Sequence, residues 1–230
     1  MKGKRFTECH LATALAISVC LIGSLTSASA YVLTLTGGDP GEGFSPEPIL
    51  KYAYDTSGSD TATYTVQGVP FLPYHPGDSI PNISTTWPNT YDGLPAPSLG
   101  PTANDDALES ILKTFWYADP NTPQTLTLGG LTSGQKYRVD LFIYKQDGPS
   151  GGTFTFNGDQ TNSFTAATSV PYLVSEEVAA NGSGQIVVGM TSSQYSVLNG
   201  FSVSIPEPAT ISLLGGGWIM LLWRRRRTIG

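Results

Sequence analysis

The chain has 230 residues, a length that suits one domain, and only 13% of them are charged. From residue 31 to residue 205, five basic residues stand against sixteen acidic ones, a net charge near −11. A phosphate backbone would be repelled by that stretch, which excludes nucleic-acid binding, and both cysteines (Cys9 and Cys20) precede it, which excludes a disulfide framework or a thiolate metal site there.

The chain begins with Lys2, Lys4 and Arg5, continues with an apolar run from Leu11 to Leu25, and reaches Ala28-Ser29-Ala30. A positive start, an apolar stretch and a small-residue site are the three parts of a secretory signal. The apolar run is shorter than the ~20 residues a spanning helix needs, so residues 1–30 are expected to be a signal helix that signal peptidase removes after Ala30, with Ala28 and Ala30 as the cleavage-site residues.

Strand patterns dominate from Tyr31 onward. Tyr31-Val32-Leu33-Thr34-Leu35 opens the series, and Thr61 to Val66 follows, rich in β-branched and aromatic residues. Prolines at 70, 73, 76, 81, 88, 95, 97 and 101 then interrupt the chain. That stretch is expected to be mainly long surface loops with at most one short strand. Asn104, Asp105 or Asp106 is placed to cap a short helix in which Ala107, Leu108, Ile111 and Leu112 share a face, and strand resumes near Phe115. Leu126 and Leu128 alternate with threonines. A turn through Ser133-Gly134 leads to Tyr137, Val139, Leu141 and Ile143, whose opposite face starts wet at Arg138 and Asp140 and becomes apolar. Thr153 to Phe156, Ile186 to Met190 and a closing strand from Val197 to Ile205 complete the pattern, with Asn157-Gly158 and Asn181-Gly182 as turns. These elements predict an all-β fold over residues 31–205: a jelly-roll-type β-sandwich with one short helix.

Few residues there offer chemistry. His75 is the single histidine after Ala30, in a proline-rich loop without a nucleophile-elbow pattern, which argues against a catalytic triad. Asp105, Asp106 and Glu109 form an acidic group that suits a helix N-terminus. Carboxylates paired across the sandwich would suit a polysaccharide-active enzyme, and sequence spacing does not decide that. Asp39, Glu42 and Asp147 near turns are the candidate oxygen ligands for calcium, the one cofactor considered. Tyr74, Trp87, Tyr91, Trp116 and Tyr117 are the candidate ligand-binding residues, because sugar rings stack on aromatic faces. The competing expectation is that Trp116 and Tyr117 fill the core.

The C-terminal segment, residues 206–230, starts at Pro206-Glu207-Pro208. An apolar run containing Leu213, Leu214, Trp218 and Trp223 follows, and then Arg224, Arg225, Arg226 and Arg227. This predicts a short hydrophobic anchor helix with interfacial tryptophans and a stop-transfer cluster. Cationic clusters at both ends favour the cytoplasmic side, which puts the middle outside the inner membrane.

This tail resembles the PEP-CTERM sorting domain. The resemblance implies recognition of Pro206-Glu207-Pro208 by an exosortase, export through the secretion machinery with the inner membrane as an intermediate, and a bacterium that makes exopolysaccharide. The middle domain resembles galactose-binding-like and malectin-like jelly rolls around Leu128-Gly129-Gly130-Leu131-Thr132-Ser133-Gly134, a connection also similar to a fibronectin type III corner. Asp39 to Phe44, Tyr64 to Val69 and Leu198-Asn199-Gly200-Phe201 are similar to ectodomains found with such tails. The expectation is a non-catalytic cell-surface or extracellular-matrix protein of the biofilm, associated with exopolysaccharide. A structural or adhesive protein that binds other proteins, and the polysaccharide-active enzyme, are the alternatives.

Overall fold

A computed structural model describes residues 31–35, 44, 49–75 and 77–206, with backbone alone for 159–166. The expected signal segment (residues 1–30), the tail beyond Pro206, and Asp39 and Glu42 lie outside the described residues. Fifteen strands and one helix follow in chain order: β1 Tyr31–Thr34, β2 Ile49–Thr56, β3 Tyr64–Val66, β4 Val69–Tyr74, β5 Ile83–Thr85, β6 Asn89–Tyr91, α1 Ala103–Leu112, β7 Phe115–Ala118, β8 Gln124–Leu128, β9 Lys136–Ile143, β10 Ser150–Phe156, β11 Asp159–Ala166, β12 Tyr172–Ala179, β13 Ile186–Thr191, β14 Ser196–Leu198 and β15 Gly200–Ile205. The fold is the predicted all-β sandwich with one short helix.

A seven-stranded sheet runs β1-β12-β9-β15-β2-β4-β3 and a five-stranded sheet runs β11-β10-β13-β8-β5. All pairs are antiparallel except β2 with β4. Period-2 alternation shows which sheet faces water: Leu126 and Leu128 of β8 are buried while Thr125 and Thr127 are half-exposed, and β13 repeats the pattern with Ile186, Val188 and Met190 inside. The five-stranded sheet therefore has one wet face.

The seven-stranded sheet is covered on both faces, so β9 is buried from Val139 to Ile143. One face meets the other sheet. Against the opposite face Phe44 joins Phe71 and Phe142 in an edge-to-face trio, with centroids 5.5 to 5.8 Å apart. Helix α1 lies there too. A side chain at Gly200 would come within 3.0 Å of Ile111 Cγ2, so the glycine permits that approach.

The Arg138 and Asp140 face is correspondingly not wet. Asp140 is buried, accepting from Arg138 Nε at 3.0 Å, Ser175 Oγ at 2.6 Å and Ser202 Oγ at 3.2 Å. Arg138 Nη2 donates to the Tyr31 hydroxyl at 2.7 Å. One polar row, buried at Asp140, Ser175 and Ser202 and reaching the surface at Tyr31, thus ties β1, β12, β9 and β15. Burial pushes the Asp140 carboxyl up, while the guanidinium and the hydroxyls work against it.

Residues 70–101 hold more order than their prolines predict. β4, β5 and β6 fall there, and Trp87, Leu94, Pro97 and Leu99 are buried. β4 tolerates Pro70 and Pro73 because its two ladders divide it: residues 69–71 pair with β3 and residues 72–74 with β2. The helix cap is also different. Thr102 accepts from the Asp105 N–H at 3.2 Å and the Asp105 carboxylate accepts from the Thr102 N–H at 2.9 Å, a capping box whose N-cap lies two positions before Asn104, the first of the residues expected to cap.

Candidate functional site

The third sheet, β14-β7-β6, has three short strands and positions most of the exposed aromatic surface. It exists because the closing strand breaks at Asn199: β14 pairs with β7, while β15, one residue later, pairs with β9 and β2. Asn199 is fully buried. Its Nδ2 donates to the carbonyls of Leu112 at 3.1 Å and Thr114 at 2.8 Å, and its Oδ1 accepts from Tyr144 N–H at 2.6 Å. Its own N–H donates to Phe142 O and its carbonyl accepts from Thr56 N–H. A strand can change sheets there because every polar group of the crossing residue is met.

Register assigns the faces of this sheet. Trp116 opposes Thr90 and Leu198, whereas Phe115 opposes Tyr91 and Tyr117 opposes Asn89 and Val197. Trp116 points into the core, fully buried, against Tyr74 at 4.6 Å and Trp87 at 6.4 Å. Tyr74 and Trp87, expected as ligand-binding candidates, are instead buried packing residues, and Trp116 fills the core as its competing expectation had it; none of the three offers a ring face to a ligand. Burying three large aromatics against one another removes more apolar area from water than any loop contact could.

The other two, Tyr91 and Tyr117, come together. Tyr91, 49% exposed, stacks on Phe115 at 5.5 Å and 18°. Phe115 meets Tyr117 at 5.9 Å, and Tyr117 meets Tyr195, 40% exposed, at 6.3 Å. Four rings thus form a strip of successive contacts, with the exposed tyrosines at its ends and half-buried Tyr117 and buried Phe115 between them. Phe115 and Tyr195 were missed by sequence reasoning. The parity of Phe115 with Tyr117 was a usable signal; the pairing that brings Tyr195 beside Tyr117 was not visible in sequence.

Polar groups border the strip. Asn89 shares the strip's face opposite Tyr117, whereas Asp92, next after Tyr91 in the chain, lies with Thr90 on the other side of the strand, accepting from Gly58 N–H at 2.9 Å and Ser59 Oγ at 2.8 Å. At the far end, Lys145 Nζ stands 5.2 Å from the Tyr195 ring centroid and 2.6 Å from Asp147, whose carboxyl its hydrogen bond holds below the usual range. Asp147, expected near a calcium ion, is thus paired with a lysine. Among the described residues no group of three or more His, Cys, Asp or Glu side chains is arranged to hold a metal.

A second cluster lies at the end of β2. Asp55 is buried, accepts from Thr114 Oγ1 at 3.0 Å, and its Oδ2 meets no partner among the described residues. Burial pushes its carboxyl up to about 8, with Thr114 acting against and Asp60 and Asp92 adding. At Asp60 burial also acts upward, but the Tyr64 hydroxyl and the N–H groups of Ala62 and Thr61 outweigh it and hold the carboxyl low. Carboxyls pushed apart in this way are the signature of an acid and a base. Here, however, the protonated member has no exposed surface for a substrate to reach. His75 is held beside them, with Nδ1 3.0 Å from Asp78 and Nε2 2.8 Å from the Asp60 carbonyl. At the helix, Asp105 serves the cap and Glu109 accepts from Leu99 N–H at 2.7 Å.

Among the described residues no helix is long and apolar enough to cross a membrane, and the predicted anchor lies beyond them. Pro206, the first residue of the expected sorting motif, follows β15 directly, where the sheet ends.

No protein-family model matches this chain, and no curated protein matches it in sequence. Solved structures do. The ANXUR2 extracellular domain from Arabidopsis thaliana is similar with a TM-score of 0.51 and 14% identity, over 67% of this chain and 48% of that one. A calcium binding mutant of Bacteroides uniformis beta-glucuronidase 2 is similar with a TM-score of 0.50 and 9% identity, over 67% of this chain and 18% of that one. This chain spans less than half the length of either. The likeness is one of fold alone, that of the β-sandwich.

Proposed function

We propose that this chain is an exported, non-catalytic protein of the cell surface or extracellular matrix whose sandwich binds carbohydrate, and that it associates with exopolysaccharide after sorting by an exosortase. The observation that carries the binding reading is the strip Tyr91-Phe115-Tyr117-Tyr195. Two partly exposed tyrosines at its ends, supported by two more rings, suit the faces of successive sugars, and Asn89, paired with Tyr117 on the same face, suits hydroxyl groups. The non-catalytic reading is favoured by the burial of Asp55 and by the pairing of His75 with backbone and Asp78. The sorting reading rests on Pro206-Glu207-Pro208 and the arginines that end the chain.

A glycan array probed with the purified full-length chain tests the binding. Retention on at least one polysaccharide is expected, with loss of about fivefold or more in Tyr91→Ala or Tyr195→Ala, since each stacked ring contributes on the order of 1 kcal/mol or more. Absence of retention on every glycan would overturn the reading. For sorting, Glu207→Ala should leave the chain in the inner membrane; unchanged release from the membrane would count against an exosortase.

A further inference from the structure

We infer that Asn181 is a self-modification site: its side-chain amide reacts with the N–H of Gly182 to give a cyclic imide, which water opens to aspartate, in the folded chain and without an enzyme. The chain holds three Asn-Gly pairs, Asn157-Gly158, Asn181-Gly182 and Asn199-Gly200, and the fold treats them differently. Glycine after asparagine favours this reaction because no side chain hinders the attacking nitrogen.

At Asn181 the side-chain oxygen Oδ1 accepts from two backbone donors, Ser183 N–H at 2.9 Å and Gln185 N–H at 3.1 Å. Two N–H groups at such distances from one carbonyl oxygen form an oxyanion hole, and here the oxygen belongs to the carbon under attack. The Gly182 N–H donates to nothing among the described residues, Gly182 is exposed, and a side chain there would meet nothing within 4 Å. The turn is held in shape from outside, because Leu131 N–H donates to Gly184 O at 3.1 Å and Gly134 N–H to Ala180 O at 2.8 Å. The other two pairs are guarded. Asn199 and Gly200 are buried, out of reach of water. Asn157 is exposed, but its Nδ2 donates to Ala179 O at 2.9 Å and its Oδ1 accepts from one N–H, that of Val187 at 2.9 Å. Its leaving nitrogen is tied, and half of the hole is missing.

The steps balance with water alone. Hydroxide removes the Gly182 N–H proton. The nitrogen attacks Asn181 Cγ, forming an N–Cγ bond and placing negative charge on Oδ1. That charge returns, the Cγ–Nδ2 bond breaks, and Nδ2 leaves as ammonia with a proton from water, which restores the hydroxide. Water then adds at Cγ, the N–Cγ bond breaks, Gly182 regains its N–H, and the new carboxyl gives its proton to the ammonia. Addition at Cγ puts charge on the same oxygen again, so aspartate forms in preference to isoaspartate, which arises from addition at the backbone carbonyl. The carboxylate product accepts from the same two N–H groups in charge-assisted bonds.

The test incubates the purified full-length chain at mildly alkaline pH, folded and in urea, and follows the three pairs by peptide mass spectrometry, with aspartate and isoaspartate separated by chromatography. In the folded chain conversion at Asn181 should be about tenfold faster than at Asn157, undetectable at Asn199 and no slower than in urea, and it should give mainly aspartate. In urea the three pairs should converge in rate, with isoaspartate the larger product. Gly182→Ala should slow conversion by about tenfold or more without moving the melting temperature, since the added methyl hinders the nitrogen and otherwise meets open space. Asn181→Asp should melt at or above the temperature of the parent, and Asn157→Asp about 5 °C below it, because a carboxylate there faces the Ala179 carbonyl. Slower conversion at Asn181 in the folded chain than in urea, isoaspartate as its main folded-state product, or an unchanged rate in Gly182→Ala would overturn the inference. A lower melting temperature for Asn181→Asp would show that Ser183 and Gln185 do not hold that oxygen, and would overturn it too.

Discussion

Two buried polar residues, Asn199 and Asp55, differ in how they meet burial. Asn199 has a partner for each polar group of its side chain, in three separate elements of backbone. Asn199→Ala would leave the Tyr144 N–H and the Leu112 and Thr114 carbonyls without that partner. At on the order of 1 to 3 kcal/mol for each stranded group, a loss of about 3 kcal/mol or more is expected, read as a melting temperature lower by about 10 °C. Asp55 instead meets burial by holding a proton, with its carboxyl raised from 3.8 to about 8. Between those values the folded chain keeps a proton that the unfolded chain releases, so this residue makes stability fall as pH rises through that window. Asp55→Asn keeps an acceptor for Thr114 and removes the titration. Its stability relative to the parent should therefore grow from about pH 4 to about pH 8, and a parallel pH profile of the two proteins in urea would show that Asp55 is ionised in the fold.

At the scale of elements, α1 shows how local chemistry and distant packing share the work. Its start is local: the Thr102–Asp105 capping box satisfies two backbone donors. Thr102→Ala should cost about 1 kcal/mol, seen as a lower urea midpoint with an unchanged slope. Its position is not local, since Leu108, Ile111 and Leu112 are buried against a sheet whose strands come from distant parts of the chain. The same division explains which strands could be read in advance. β8 alternates in burial and was legible, and β9, though buried on both faces from Val139 to Ile143, was legible because Tyr137, Val139, Leu141 and Ile143 still alternate in sequence with Arg138 and Asp140. β4 carries two prolines, and β12 runs from apolar to acidic in Leu173-Val174-Ser175-Glu176-Glu177 because both of its faces are occupied. Neither shows the period of a half-buried strand.

For the molecule as a whole, the titrating groups add in one direction above pH 4. Burial raises Glu176 to about 7, with Glu177 beside it adding, so it acts in the same sense as Asp55. Asp60, Asp78 and Asp147 are held low and stabilise only while ionised, so their contribution is lost as pH falls below the usual carboxylate range. Maximum stability is therefore expected on the acid side of neutrality. Thermal unfolding should occur at a higher temperature near pH 5 than near pH 8, and relief of the net negative charge works in the same direction. The opposite order would show that Asp55 and Glu176 do not keep their protons in the folded state.

The sequence by itself determined the fold class, the limits of the domain's chemistry and the cationic character of both ends, because strand alternation, turn residues and charge counts are local properties. It also brought Tyr91 and Tyr117 into consideration as aromatics. Only the tertiary structure decided that these two face outward beside Tyr195 while Tyr74, Trp87 and Trp116 face inward. In a strand, neighbouring side chains point to opposite sides, so Trp116 and Tyr117 had to part; which of them met water depended on which side the core lay. That side was set by β14 pairing with β7, eighty residues earlier in the chain, and by the crossing at Asn199 that lets one stretch of chain serve two sheets.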